Sequence, residues 1–142
     1  MRKYYVFNIK EEFRELYNNN PYFLFNILRN IYNLDSSEVS YALTLLDQLE
    51  YKFDKYELDK YIYIKLHKEM PYSKKGEIHF INNIFKDEVS KMIVKNRYIK
   101  IISDTNYSSF FNVLSTISNN YFVCDFEYLN FFFINNIKNS FY

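Results

Sequence analysis

Residues 4–17 read YYVFNIKEEFRELY, and the character of this stretch changes in its middle. The first half is rich in aromatic and β-branched residues and predicts a strand over Tyr4–Ile9. The second half is charged and predicts a short helix ending at Tyr17. Phe13 and Tyr17 are four positions apart, so a helix places both rings on one face, with Leu16 beside them. Spacing alone makes that face the core-facing stripe of the first helix.

Helical patterns continue over the following fifty residues. Pro21 suits the first position of a second helix. Asp35 and Glu38 have the spacing of a capping box, which predicts the start of a third helix. The end of that helix is ambiguous, because residues 48–53 alternate between apolar and polar as a strand does. A fourth helix is predicted over Tyr56–Glu69.

Strand patterns dominate the second half of the chain. Pro71–Gly76 predicts a loop, since it holds the single glycine and the second of two prolines. Residues 84–95 fit a strand or a helix equally well. A last helix is predicted to start at Asp104 or Thr105. The predicted strands are Glu77–Asn82, Tyr98–Ser103 and Tyr121–Phe126.

The order of these elements predicts the fold class. A strand, a helix and a strand joined by short loops favour a parallel strand pair with a right-handed crossover. The 142 residues are enough for one domain with a substantial core. We therefore expect an α/β or α+β fold, a single domain over 1–142 in which a small mixed sheet packs against several helices.

Composition narrows the classes of function and location. The 18 basic and 17 acidic residues give a formal charge of +1, which is too balanced to predict direct nucleic-acid binding. The single cysteine excludes an internal disulfide and fits a reducing compartment. The apolar runs are too short to cross a bilayer, and a secretory signal is absent. The sequence predicts a cytoplasmic protein that does not bind membranes.

The residues able to carry chemistry form no recognisable catalytic or metal-binding pattern. The two histidines lack a nearby cysteine or second histidine, and adjacent carboxylates on a helix diverge by about 100°. One glycine cannot build a phosphate-binding loop. We therefore predict no catalytic residue, metal or cofactor. The histidines are His67 and His79, and the adjacent carboxylate pairs are Glu11-Glu12 and Asp87-Glu88. Cys124 and Asp125 are single candidates without a partner residue in the sequence pattern.

Four short patterns occur in order along most of the chain. They are Tyr4-Tyr5-x-x-x-Ile9-Lys10-Glu11-Glu12-Phe13-x-x-x-Tyr17, Gln48-Leu49-x-Tyr51, Lys75-Gly76-x-x-x-Phe80, and Phe110-Phe111-x-Val113-Leu114 followed by Phe122 and Asp125-Phe126. Together they resemble the sporulation inhibitor of replication family, SirA. The chain departs from the family pattern at Asn18-Asn19-Asn20, where a Phe-Gly pair is common, in a longer segment 82–95, and beyond Glu127.

The resemblance implies a regulator that is not an enzyme and needs no cofactor. Members of this family bind the N-terminal domain of the replication initiator DnaA and block its assembly at the origin on entry into sporulation. The positions that match the family's binding surface are Phe13, Tyr17, Gln48 and Tyr51. Alternatives are an interaction module with another partner, or a small enzyme. Whether Phe131–Phe133 packs inward or forms a second contact surface stays open.

Overall fold

The computed structural model describes residues 1–34 and 38–134. The predicted capping box begins at Asp35, which lies outside the described residues. Within them, seven strands form one sheet in the order β2-β3-β4-β5-β1-β6-β7. The strands are β1 Arg2–Asn8, β2 Tyr72–Lys75, β3 Ile78–Asn83, β4 Glu88–Val94, β5 Ile99–Ser103, β6 Tyr121–Asp125 and β7 Asn130–Phe133.

The α+β layer architecture is confirmed, but the expected parallel strand pair is wrong. Every strand pairing described is antiparallel. The strand, helix and strand of the prediction are β5, a short helix and β6, and these two strands do run in the same direction. However, β1 lies between them and pairs antiparallel with both. The sheet is therefore antiparallel rather than mixed, and the N-terminal strand is central to it.

Five helices accompany the sheet in the described residues. The fourth begins after Asp54, whose side chain accepts a hydrogen bond from the Glu57 amide at 3.2 Å and caps the helix. The last helix begins later than predicted, because the Thr105 amide and hydroxyl bond to Ser103 and Tyr107 in a turn. The helices are α1 Glu11–Leu16, α2 Pro21–Tyr32, α3 Val39–Leu49, α4 Lys55–Leu66 and α5 Phe110–Leu114.

The predicted loop Pro71–Gly76 is largely the edge strand β2. Gly76 has a φ of +59° in the turn that joins β2 to β3, a conformation that favours glycine. Lysines on a short edge strand discourage pairing with other chains, and this charge obscured the strand pattern in the sequence. The ambiguous residues 84–95 contain a turn followed by β4. The strand β7 was not predicted.

The two faces of the sheet carry separate apolar clusters. Tyr4 and Val6 point to the face covered by α4 and α5, and Phe7 points to the face covered by α2 and α3. Both clusters reach β7, where Phe132 packs against the first and Phe133 is buried in the second. The three phenylalanines of β7 therefore pack inward.

Candidate partner-binding surface

The beginning of α1 is joined to the end of α3 by backbone hydrogen bonds. The Lys10 amide donates to the Leu49 carbonyl at 2.9 Å, and the Tyr51 amide donates to the Asn8 carbonyl at 2.9 Å. At the surface, the Lys10 ammonium lies 5.4 Å from the centre of the Tyr51 ring. Two segments forty residues apart in sequence thus form one continuous part of the surface.

Gln48 and Tyr51 face solvent at the end of α3. Tyr51 is 57 % exposed, and Gln48 is exposed on the last turn of the helix. Between them, Leu49 and Glu50 are buried. The strand-like alternation of residues 48–53 therefore marks the change from helix to an extended segment at Glu50.

Phe13 and Tyr17 lie at the boundary between core and surface. Both are half-buried and pack against the cluster formed by β1, β6, β7, α2 and α3. Leu16, expected beside them, is 65 % exposed. Because α1 has six residues and none of them is buried, only a narrow side of it reaches the core. Each ring therefore has one part packed against the core and one part exposed to solvent.

Arg14 fixes α1 against the sheet. Its Nε donates to the Asn119 carbonyl at 3.1 Å, and its guanidinium lies 3.8 Å from the centre of the Phe133 ring. It also donates to the Asn18 side chain. These contacts set the orientation of a helix that is too short to be stable alone.

We call Phe13, Tyr17, Gln48 and Tyr51 the α1–α3 surface. It combines aromatic rings with an exposed amide that can donate and accept hydrogen bonds, and the three glutamates of α1 are exposed on the same helix as Phe13. Aromatic anchors inside a charged rim are typical of protein-interface centres. The backbone bonds between Lys10 and Leu49 and between Tyr51 and Asn8 join the segments that carry these residues.

A buried carboxylate lies directly beneath this surface. Both oxygens of Glu50 are buried without a hydrogen-bond partner among the described residues. Its nearest cation is Arg97, 3.9 Å away, which is itself bound to Asp47 at 2.9 Å. Burial raises the pKa of Glu50 to about 8, against the opposing effect of Arg97. Sequence spacing gave no signal for this site, because burial of a residue at a helix end depends on tertiary packing.

We expect Glu50 to make stability fall as pH rises. Below about pH 4.5 the Glu50 carboxyl is protonated in both the folded and the unfolded state, and its contribution to the free energy of unfolding is complete. As pH rises from about 4.5 to about 8, the unfolded state releases this proton while the folded state retains it. The contribution therefore falls over this range and is lost once pH has risen through about 8. Its slope reaches about 1.4 kcal/mol per pH unit. Urea unfolding from pH 5 to 8 should show a flatter profile for Glu50→Gln than for wild type or for the exposed control Glu69→Gln. Parallel profiles for all three proteins would contradict the assignment.

The residues that carry chemistry are dispersed. His79 is fully buried, with its Nε2–H donated to Asp59 at 2.7 Å and its Nδ1 accepting from the Tyr72 hydroxyl at 2.8 Å. Burial lowers the pKa of His79 despite the neighbouring carboxylate. Both ring nitrogens are thus used inside the fold. Cys124 and Asp125 lie on opposite faces of β6, four strands from His79 in the sheet.

Glu88 is the centre of a second buried network. It accepts hydrogen bonds from the Ser90 hydroxyl at 2.5 Å, from the Ser109 amide at 2.9 Å and from the Ser109 hydroxyl. The Ser108 hydroxyl bonds to Ser90 at 3.1 Å. The network ties the start of α5 to β4. The sequence pattern did not reveal this network, since Ser108 and Ser109 are eighteen or more residues from Ser90 and share no periodicity with it.

In 1–34 and 38–134, no three His, Cys, Asp or Glu side chains are grouped so that they could hold a metal ion. No helix in these ranges has the length and apolar character needed to cross a bilayer.

Comparison with known proteins places the chain in a family. The model of the family described as "Sporulation inhibitor of replication protein SirA" matches residues 2–138, which is nearly the whole chain. A search of curated protein sequences finds no significant match. The family match spans the strands, the helices and all four residues of the α1–α3 surface. The chain therefore belongs to the sporulation inhibitor of replication (SirA) family.

Proposed function

We propose that this protein inhibits the initiation of chromosomal replication by binding the N-terminal domain of DnaA through the α1–α3 surface. The bound protein blocks assembly of the initiator at the origin when a cell enters sporulation. Membership of a family of sporulation-related replication inhibitors supports the biological setting. The partner and the contact residues are the proposed part.

The observation that carries the proposal is the joining of α1 to α3. Its backbone hydrogen bonds bring the segment with the exposed Gln48 and Tyr51 to the start of the helix that carries the half-buried Phe13 and Tyr17. A surface fixed by backbone hydrogen bonds loses little conformational freedom on binding, which favours affinity. Tyr51 and the outer parts of the two other rings supply apolar contact, and Gln48 supplies directional hydrogen bonding.

The function can be tested in growing cells of the organism that carries the chain. Induced expression of the protein should lower the ratio of origin to terminus DNA, because fewer rounds of replication begin while elongation continues. Expression of Tyr51→Ala should leave the ratio near that of uninduced cells. Tyr56→Ala is the matched control, since Tyr56 is a 72 % exposed tyrosine of α4 that is not one of the four residues of the α1–α3 surface. An unchanged ratio with folded, abundant wild-type protein would contradict the proposal.

A further inference from the structure

One part of the sheet is covered by helices on one side only. The cluster beneath α2 and α3 draws on β1, β6 and β7 and includes no residue of β2, β3, β4 or β5. The opposite face of those four strands is packed under α4 and α5. The uncovered side of β2–β5, together with the adjoining part of β1, is called the open sheet face.

The centre of the open sheet face is apolar. Ile78, Phe80, Ile93 and Ile102 are half-buried there. Ile78 pairs with Ile93, while Phe80 and Ile102 flank Lys91 on the two neighbouring strands. Paired residues of antiparallel strands point to the same face, so these side chains form one patch.

Four lysines surround and divide this patch. Lys3, Lys75, Lys91 and Lys100 point to the open sheet face by their strand register. Lys91 lies 5.9 Å from the Phe80 ring centre, and Lys100 lies 5.8 Å from that of Tyr5. In the described part of the chain, no carboxylate is within ion-pair distance of these four lysines.

The strands offer no negative charge to balance the lysines. The one carboxylate in the sequences of β1–β5 is Glu88, which is buried on the opposite face beside α5. The face is therefore both apolar and uniformly basic, in a chain with a net charge of only +1. Charge complementarity requires an acidic occupant.

The apolar residues favour a helix over a nucleic acid. Stacking of bases requires accessible aromatic rings. The Tyr5 ring already packs against Tyr32 and Tyr98, with ring centres 5.4 Å and 5.5 Å apart, and is therefore not available for stacking with a base. The remaining ring of the patch is Phe80, which lies among branched aliphatic side chains. Branched aliphatic side chains instead suit the apolar stripe of a helix, as they do in helix-on-sheet layers.

We propose that the open sheet face binds an acidic amphipathic helix of a partner protein. The apolar stripe of that helix packs on Ile78, Phe80, Ile93 and Ile102, and its flanking carboxylates pair with the lysines. From β2 to β1 the face is about 19 Å wide, given a strand spacing of about 4.8 Å. A helix of about 13 residues has this length. This surface shares no residue with the α1–α3 surface.

The test uses a synthetic 14-residue helical peptide with leucines at i, i+3, i+4 and i+7 spacing and glutamates on both flanks. Addition to the isotope-labelled full chain should shift the amide resonances of β3, β4 and β5, with little change in α1. Lys91→Glu combined with Lys100→Glu should weaken binding about tenfold or more. Lys60→Glu combined with Lys68→Glu changes net charge equally at exposed positions elsewhere and should have little effect. Phe13→Ala and Tyr51→Ala should bind the peptide as wild type does.

Three results would overturn the proposal. The first is the absence of shifts at millimolar peptide, or shifts confined to other surfaces. The second is equal weakening by the two double variants, which would show nonspecific attraction. The third is preference for a single-stranded oligonucleotide, or for a lysine-substituted peptide of the same pattern, at the same strands. If the Lys91 and Lys100 variant does not fold, Lys3→Glu and Lys75→Glu apply the same test at the rim.

Discussion

Replacing Tyr51 with alanine is expected to weaken binding to the initiator's N-terminal domain by about 1.4–3 kcal/mol, or roughly tenfold or more in Kd. The side chain is 57 % exposed, and its ring contact is with the Lys10 ammonium. Truncation therefore removes a contact surface while leaving both apolar clusters intact. Isothermal titration calorimetry gives the affinity, and urea unfolding should show a change in stability below about 0.5 kcal/mol.

Comparison with Phe13→Ala separates binding from folding. Phe13 is half-buried against the core, so its truncation should lower both affinity and stability. Tyr56→Ala removes an equally large exposed ring from α4 and should change neither. If Tyr51→Ala binds as tightly as Tyr56→Ala, the α1–α3 surface is not where the initiator binds. If Phe13→Ala lowers stability alone, that residue belongs to the core rather than to the interface.

Glu88→Ala is expected to destabilise the fold by about 3 kcal/mol, which lowers Tm by roughly 10 °C. The carboxylate is buried and accepts hydrogen bonds from Ser90 and from the amide and hydroxyl of Ser109. Its removal leaves the Ser109 amide and hydroxyl without their acceptor, whereas the Ser90 hydroxyl keeps Ser103 at 2.8 Å. Thermal unfolding followed by circular dichroism measures the loss.

The conservative variant Glu88→Gln sharpens this prediction. One amide oxygen can still accept from the Ser109 backbone, and the amide nitrogen can donate to the Ser109 hydroxyl. We therefore expect Glu88→Gln to retain more than half of the stability that Glu88→Ala loses. Glu69→Ala, at an exposed glutamate, is the control. A Glu88→Ala protein as stable as this control would show that the serine network contributes nothing to folding.

Local patterns predicted the elements well where apolar periodicity was strong. The helix Lys55–Leu66 and the strand Tyr121–Asp125 agree with the predictions within a few residues. The edge strands β2 and β7 were not predicted, since lysines and a run of phenylalanines hide the period-two pattern. The parallel pairing was wrong because a local pattern cannot show that β1, 90 or more residues away, inserts between β5 and β6.

The candidate site was predicted from the family resemblance rather than from spacing. Spacing showed an amphipathic segment at Phe13 and Tyr17, for which a core position was the simplest interpretation. The structure finds both rings half-buried. The bonds that join Lys10 to Leu49 and Tyr51 to Asn8 are long-range contacts without a sequence signature. The same holds for the buried carboxylate of Glu50, which accepts no hydrogen bond from the described residues.

The most direct test of the central claim is calorimetric titration of the full chain with the isolated N-terminal domain of DnaA from the same organism. We expect a saturable complex that Tyr51→Ala weakens roughly tenfold or more and that Tyr56→Ala leaves unchanged. The absence of a complex between two folded proteins would contradict it. If the Tyr51→Ala and Phe13→Ala variants bind the DnaA domain with wild-type affinity, the proposed surface is contradicted.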